Sequence, residues 1–247
     1  MKENIKINKR KNSQNFKKEI LSKINKFFKE YKENLENRDF LIIYKNNGKK
    51  DEIFLRFLRE NFLHLTGINR SLSSFDIYKK LEKKNLRVND ITLGKFTEKK
   101  LQVYSKMIKI FKEKSKIGTY DPNNLYQKNL SIDKGMALSI PDTDMVLGIR
   151  IIGGKYTVPV SLLQQKLENI SYKETITDII CMFEKNVEEE KYSKLVYNIE
   201  DIKELLQENE GIKELLTEEL LKEIYPEEEN ISDEAEENDI CEKASEE

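Results

Sequence analysis

The chain reads as an α+β protein in which an antiparallel β-sheet carries packed helices, with a basic helix before the sheet and an acidic helix and tail after it. Three observations predict this class. Apolar residues recur at helical spacing near both ends, Phe16, Ile20, Ile24, Phe27 and Tyr31 in one stretch and Leu205, Ile212, Leu216 and Leu220 in the other. Short runs of β-forming residues separated by turn residues fill the middle. Charge also separates along the chain: residues 200–247 carry 20 acidic and 4 basic side chains, against 40 basic and 25 acidic in residues 1–199.

In chain order, residues 1–12 are basic and polar with little to bury, which predicts disorder. The stripe from Phe16 to Tyr31 predicts an amphipathic helix whose flanks carry Lys17, Lys18, Lys23, Lys26, Lys29 and Lys32. Phe40–Tyr44 and Ile53–Phe57 bracket Asn46-Asn47-Gly48, a sequence suited to positive φ, so a β-hairpin is expected. The run Phe62–Ile68 follows, with Gly67 allowing a sharp turn, and then a short helix near residues 73–83 carrying Phe75, Tyr78 and Leu81. Thr97, Lys99 and Lys100 open another helix, in which Leu101, Tyr104, Ile108 and Phe111 continue the stripe to about residue 116.

Asp121-Pro122-Asn123-Asn124 is a turn, after which 136–140, 145–152 and 155–160 read as a meander broken at Gly153-Gly154. Residues 176–183 and 192–199 extend it, although the first of these also reads as helix. These elements divide the chain into a basic segment and helix (1–36), an α+β domain (37–199), an acidic helical segment (200–225) and a disordered acidic tail (226–247).

Composition excludes some classes. No apolar run approaches the roughly 20 residues that cross a bilayer, and the N-terminus is polar rather than signal-like, so no membrane association is expected. Cys181 and Cys241 have no metal-ligand spacing and fit a reducing compartment, which predicts a cytoplasmic protein. Asp142-Thr143-Asp144 has the spacing of a metal-binding pair, but after Pro141 and between strands it reads as turn chemistry; no phosphate-cradling glycine loop precedes a helix. No cofactor or metal is expected. The positive body points to a polyanionic partner, although lysine excess alone is a weak indicator.

The one histidine of the chain, His64, stands between large apolar neighbours and beside Gly67. Histidine is the side chain whose ordinary pKa, about 6.5, suits proton transfer near neutrality. A lone histidine in an apolar run is also commonly a core or strand residue. Asn61-Phe62-Leu63-His64-Leu65-Thr66-Gly67-Ile68, followed by Ser74-Phe75-Asp76-Ile77-Tyr78, resembles the hallmark of a phage-associated nuclease family of the Barnase/EndoU/colicin/RelE-like group. Tyr156–Leu163 is similar to that family's strand ending in Pro-x-Ser/Thr-Leu-Leu, and Ile179–Lys185 resembles its last apolar strand closing on a lysine. The resemblance spans about residues 40–198.

That resemblance implies toxin-like RNA cleavage without a metal, in which a base deprotonates the 2′-hydroxyl, an acid protonates the leaving 5′-oxygen and donors steady the phosphorane. His64 would serve as base or acid. It places Ser161 and Lys185 on the sheet as phosphate-holding groups. Arg150 is a further candidate, since it interrupts an apolar strand where an unpaired charge would be costly; a structural ion pair is the competing reading. Thr66, Lys155 and Tyr156 complete the set as substrate contacts, although solvated hairpin residues have the same appearance as the last two. RNA is the expected partner, with an immunity or antitoxin protein as a second. A non-catalytic nucleic-acid- or protein-binding module with the same fold remains the alternative. Residues 200–247 are expected either to cover the basic body or to act as a solubilising tail.

Overall fold

The computed structural model describes residues 14–46, 48–70, 72–121, 123, 135–153 and 156–226. The disorder expected for residues 1–12 and for the end of the acidic tail falls outside them, as do Pro122, Asn124 and Gly154 of the two expected turns. The helices are α1 (Gln14–Asn34), α2 (Asn61–Thr66), α3 (Ser74–Glu82), α4 (Thr97–Met107), α5 (Ile202–Gln207), α6 (Glu210–Glu214) and α7 (Glu218–Ile224). The strands are β1 (Arg38–Asn46), β2 (Lys49–Phe57), β3 (Ile68–Arg70), β4 (Ile91–Leu93), β5 (Lys116–Thr119), β6 (Gly135–Ser139), β7 (Val146–Ile152), β8 (Tyr156–Leu163), β9 (Thr177–Asn186) and β10 (Lys194–Asn198).

The class is α+β, and the sheet is closed. Pairings run β1-β2-β8-β7-β6-β5-β9, and β9 pairs back onto β1, so seven strands form a barrel-like ring with β10 added on β9. The expected meander is present as β6-β7-β8, and the hairpin as β1-β2, turning at Gly48 with φ 78°. Closure leaves fewer unpaired edges than an open sheet of these strands would have to protect. One link departs from the antiparallel expectation. β2 and β8 pair in parallel over only Phe54–Leu55 and Tyr156–Thr157, with the Thr157 hydroxyl donating to the Phe54 carbonyl at 3.0 Å.

Alternation along β1 sends its side chains to two apolar clusters. Phe40, Ile42 and Tyr44 join a core built with α1, α2, α3 and α4, while Leu41 and Ile43 join Ile180, Cys181 and Phe183 under the C-terminal helices. The N-terminal helix is thus central to the core: Phe27 lies 5.2 Å from Phe62 and 4.4 Å from Tyr104 between ring centroids. Its lysine flank is partly self-neutralised by i,i+4 pairs of Lys23, Lys26, Lys29 and Lys32 with Glu19, Glu30, Glu33 and Glu36. The fourth helix is shorter than its apolar stripe suggests. A 3₁₀ turn over Ile108–Phe111 ends it, and Lys116–Thr119 become a strand of the ring. No helix among the described residues is long and apolar enough to cross a membrane.

The acidic helices are part of the packed molecule. Leu205, Leu206, Ile212, Leu216, Leu220 and Ile224 are buried in the second cluster, and Glu200 and Glu208 pair with Lys45 and Lys50 of the hairpin. A chain ending at residue 199 would bare Leu41, Ile43, Ile180, Cys181 and Phe183 to water, at roughly 1.5–3 kcal/mol per large apolar side chain. We predict that this truncation loses the cooperative thermal transition, whereas a chain ending at Pro226 keeps it; equal melting of the two would contradict the packing described.

Candidate active site

The site is organised around α2, whose residues Asn61, Phe62, Leu63, Leu65 and Thr66 are buried while His64 is exposed. Apolar neighbours in sequence therefore do not bury the histidine; on a helical turn they face inward and it faces solvent. The helix is fixed at both ends. The Asn61 side-chain oxygen accepts from the Leu58 backbone N–H at 2.8 Å, and the Thr66 hydroxyl donates to the Leu63 carbonyl at 2.9 Å. Gly67, at φ 67°, ends the helix in the left-handed region, which favours glycine. A side chain there would also put its Cβ 2.8 Å from Cδ of Lys100. The Thr97 hydroxyl secures the same turn by donating to the Gly67 carbonyl at 2.7 Å. Phe62 anchors the helix among Phe27, Phe28, Tyr31 and Tyr78.

Lys100 of α4 passes over Gly67 and ends beneath this helix, only 8% exposed. Its ammonium donates to the His64 carbonyl at 2.8 Å and to the Ser161 hydroxyl at 3.2 Å. Among the described residues no carboxylate pairs with it, and burial pushes its pKa down to about 8. A buried ammonium held by two neutral oxygens is costly to the fold, and strongly perturbed groups of this kind gather at functional sites. Sequence reading missed it by treating Lys99 and Lys100 together as a helix opening. The usable signal was position: Lys100 falls between Thr97, Leu101 and Tyr104 on the buried stripe, where a charge is out of place.

Two of the sequence candidates, His64 and Ser161, are thus linked through one ammonium. Ser161 is buried, and it follows a β-bulge: Gly148 pairs with Ser161 and Ile149 with Pro159, leaving Val160 as the extra residue. Bulges re-aim side chains and are common beside active sites. Thr66 is fully buried with its hydroxyl engaged as above. The other candidates lie elsewhere. The Lys185 ammonium donates to the carbonyls of Glu189 and Glu190 at 2.6 and 2.9 Å and lies 5.3 Å from the centre of the Tyr192 ring, so it closes the β9–β10 connection. Arg150 is exposed, as are Ile151 and Ile152, because this end of β7 runs beyond the core. The burial cost expected of Arg150 therefore does not arise. Tyr156 receives the Arg56 guanidinium 4.0 Å from its ring centre, and Arg56 is itself held in a two-point ion pair with the buried Asp39 at 2.7 and 2.6 Å. Lys155 lies outside the described residues.

The perturbed lysine has a signed consequence for stability. A lysine whose pKa is depressed in the folded state binds fewer protons than the unfolded chain between pH 8 and about 10.4, so its burial penalty is present in full below about pH 8 and folding regains stability as pH rises through that window. Relative to a Lys100→Met variant, the wild type is predicted to gain on the order of 2 kcal/mol between pH 8 and 10 in denaturant titrations. Parallel pH profiles for the two proteins would show that Lys100 is solvated.

Residues 23–201 match the model of a family described as phage-Barnase-EndoU-ColicinE5/D-RelE like nuclease4. No curated protein and no solved structure gives a significant match. The matched span holds α1 from Lys23 onward, the whole closed ring, His64, Lys100 and Ser161. With most of its length inside the match, the chain belongs to this phage-associated family of Barnase/EndoU/colicin/RelE-type nucleases.

Proposed function

We propose that the protein is a toxin-like endoribonuclease of phage or mobile-element origin that works in the cytoplasm and cleaves RNA by attack of a 2′-hydroxyl on the adjacent phosphate, without a metal. One observation carries this reading: the chain's one imidazole is exposed on an otherwise buried helix, and that helix is pinned from behind by an ammonium with no carboxylate partner among the described residues. The imidazole of His64 performs one proton transfer, taking the proton of the 2′-hydroxyl as base or protonating the 5′-oxygen as acid. Lys100 keeps a positive charge beneath the helix, from where its field reaches the negative charge that builds on the phosphorane through protein rather than water. Ser161 holds Lys100 in place. Arg150 and Lys185 are left to outer contacts with the strand of RNA.

The engagement of Lys185 and Ser161 within the protein favours a second reading, a binding module that keeps the fold without the chemistry. The experiment that separates the two uses residues 1–226 with RNA in the presence of EDTA. Cleavage leaving cyclic phosphate ends, reduced about 10²- to 10⁴-fold in His64→Ala, is expected. RNA that is bound but left intact would establish the binding module, and an active His64→Ala variant would remove the assigned mechanism.

Charge suggests control of access. Residues 227–247 carry 11 acidic side chains and one basic one, tethered to a body rich in lysine. A tethered polyanion reaches an effective concentration on the order of millimolar, enough to compete with weakly bound RNA. We expect deletion of residues 227–247 to tighten RNA binding several-fold at low salt, with the gain shrinking as salt is added. Equal binding at low ionic strength would leave the tail as a solubiliser. An immunity or antitoxin protein would act on the same surface.

A further inference from the structure

We propose that Phe75, flanked by Lys79 and Arg59, is a stacking platform for one unpaired base of a single-stranded RNA, set beside the His64 helix. The inference rests on the reading of the protein as an RNA-handling nuclease. Phe75 stands on the first turn of α3, and the face of that helix turned to the core is made by Ile77, Tyr78 and Leu81 instead. Phe75 is left 48% exposed. A single exposed phenyl ring needs no explanation by itself. This one has two cations within reach of its ring, the Lys79 ammonium 4.1 Å from its centre and the Arg59 guanidinium 5.4 Å from it.

The two cations come from different elements. Lys79 lies one helical turn beyond Phe75, whereas Arg59 comes from the loop before α2, five residues ahead of His64. The platform is therefore held against the helix that carries the imidazole, and Phe62 of that helix packs on Tyr78 of α3 with ring centroids 6.2 Å apart. Two acids stand nearby: Asp76 accepts from the Ser73 hydroxyl at 2.6 Å, and Glu60 accepts from Arg59 at 3.2 Å in an exposed pair that a phosphate can displace. Charge complementarity chooses the occupant. A base offers a flat π-face to the phenyl ring, and its flanking phosphates meet Lys79 and Arg59, which is the combination that binds single strands without reading sequence. A protein partner would have to strip water from both cations to reach the ring.

The test measures binding without cleavage, so that it stands apart from the catalytic reading. A fluorescein-labelled single-stranded oligoribonucleotide, 2′-O-methylated throughout and so without a 2′-hydroxyl nucleophile, is titrated with the full chain at low salt and followed by anisotropy. Phe75→Ala is expected to weaken binding roughly five- to a hundred-fold, the range for loss of one stacked base. Phe75→Trp should retain binding, and Lys79→Gln should cause a smaller loss and lower the salt slope by about one phosphate contact. Binding of a duplex of equal length, whose bases are already stacked, should not respond to Phe75→Ala. Unchanged single-strand affinity in Phe75→Ala with an unchanged thermal transition would overturn the proposal and leave Phe75 as a protein contact; so would equal losses for duplex and single strand. If Phe75→Ala weakens binding while His64→Ala still cleaves RNA, the platform stands and the catalytic assignment falls.

Discussion

The buried ammonium of Lys100 is the constraint on which the site depends. An uncompensated cation in a protein interior is expensive, and it persists only where the surroundings fix it in place. Here they do so from three directions: Gly67 supplies the space its methylenes cross, the His64 carbonyl accepts one hydrogen bond, and the Ser161 hydroxyl accepts another. Replacement of Gly67 would both strain the left-handed turn and collide with the lysine stem. The same arrangement joins α2, α4 and β8 at one point, so the position of the exposed imidazole is set by a polar contact made beneath it.

The closed ring makes that convergence possible. β2 and β8 meet through only two residue pairs, and the chain leaves β2 directly into α2, which packs on β8 beyond the point where the strands cease to pair. A longer pairing would compete with α2 for this flank of β8. The bulge ahead of Ser161 then turns its hydroxyl to the lysine. On the far side of β1 and β9 the acidic helices cover the second apolar cluster, which makes residues 200–226 a structural part of the molecule.

Local patterning in the sequence carried the elements well where one face decides the structure. Phe16 to Tyr31 repeats at helical spacing and forms α1; β1 and β2 pair as the expected hairpin, with Gly48 at positive φ. Ring closure was not legible, because it rests on pairing β1 with β9 and β2 with β8, contacts between residues more than a hundred positions apart that leave no local signature. The three-residue strands β3 and β4 are too short to show periodicity, and the four residues of β5, which begins where the expected helix ended, were assigned no element. At the site, the family resemblance drew attention to His64 and Ser161, yet the residue linking them was hidden in a lysine-rich stretch. A lysine among lysines looks solvated until its place on the helix is compared with that of Leu101 and Tyr104.

The most direct test of this account is the titration of the Lys100 side chain itself, followed by NMR of the isotope-labelled amine in the free protein and with an uncleavable single-stranded RNA bound. The account predicts a midpoint at about 8 in the free protein, moving upward when a phosphate binds over the helix that covers the ammonium. A midpoint near the ordinary lysine value of about 10.4, or one at about 8 that bound RNA does not move, would contradict it.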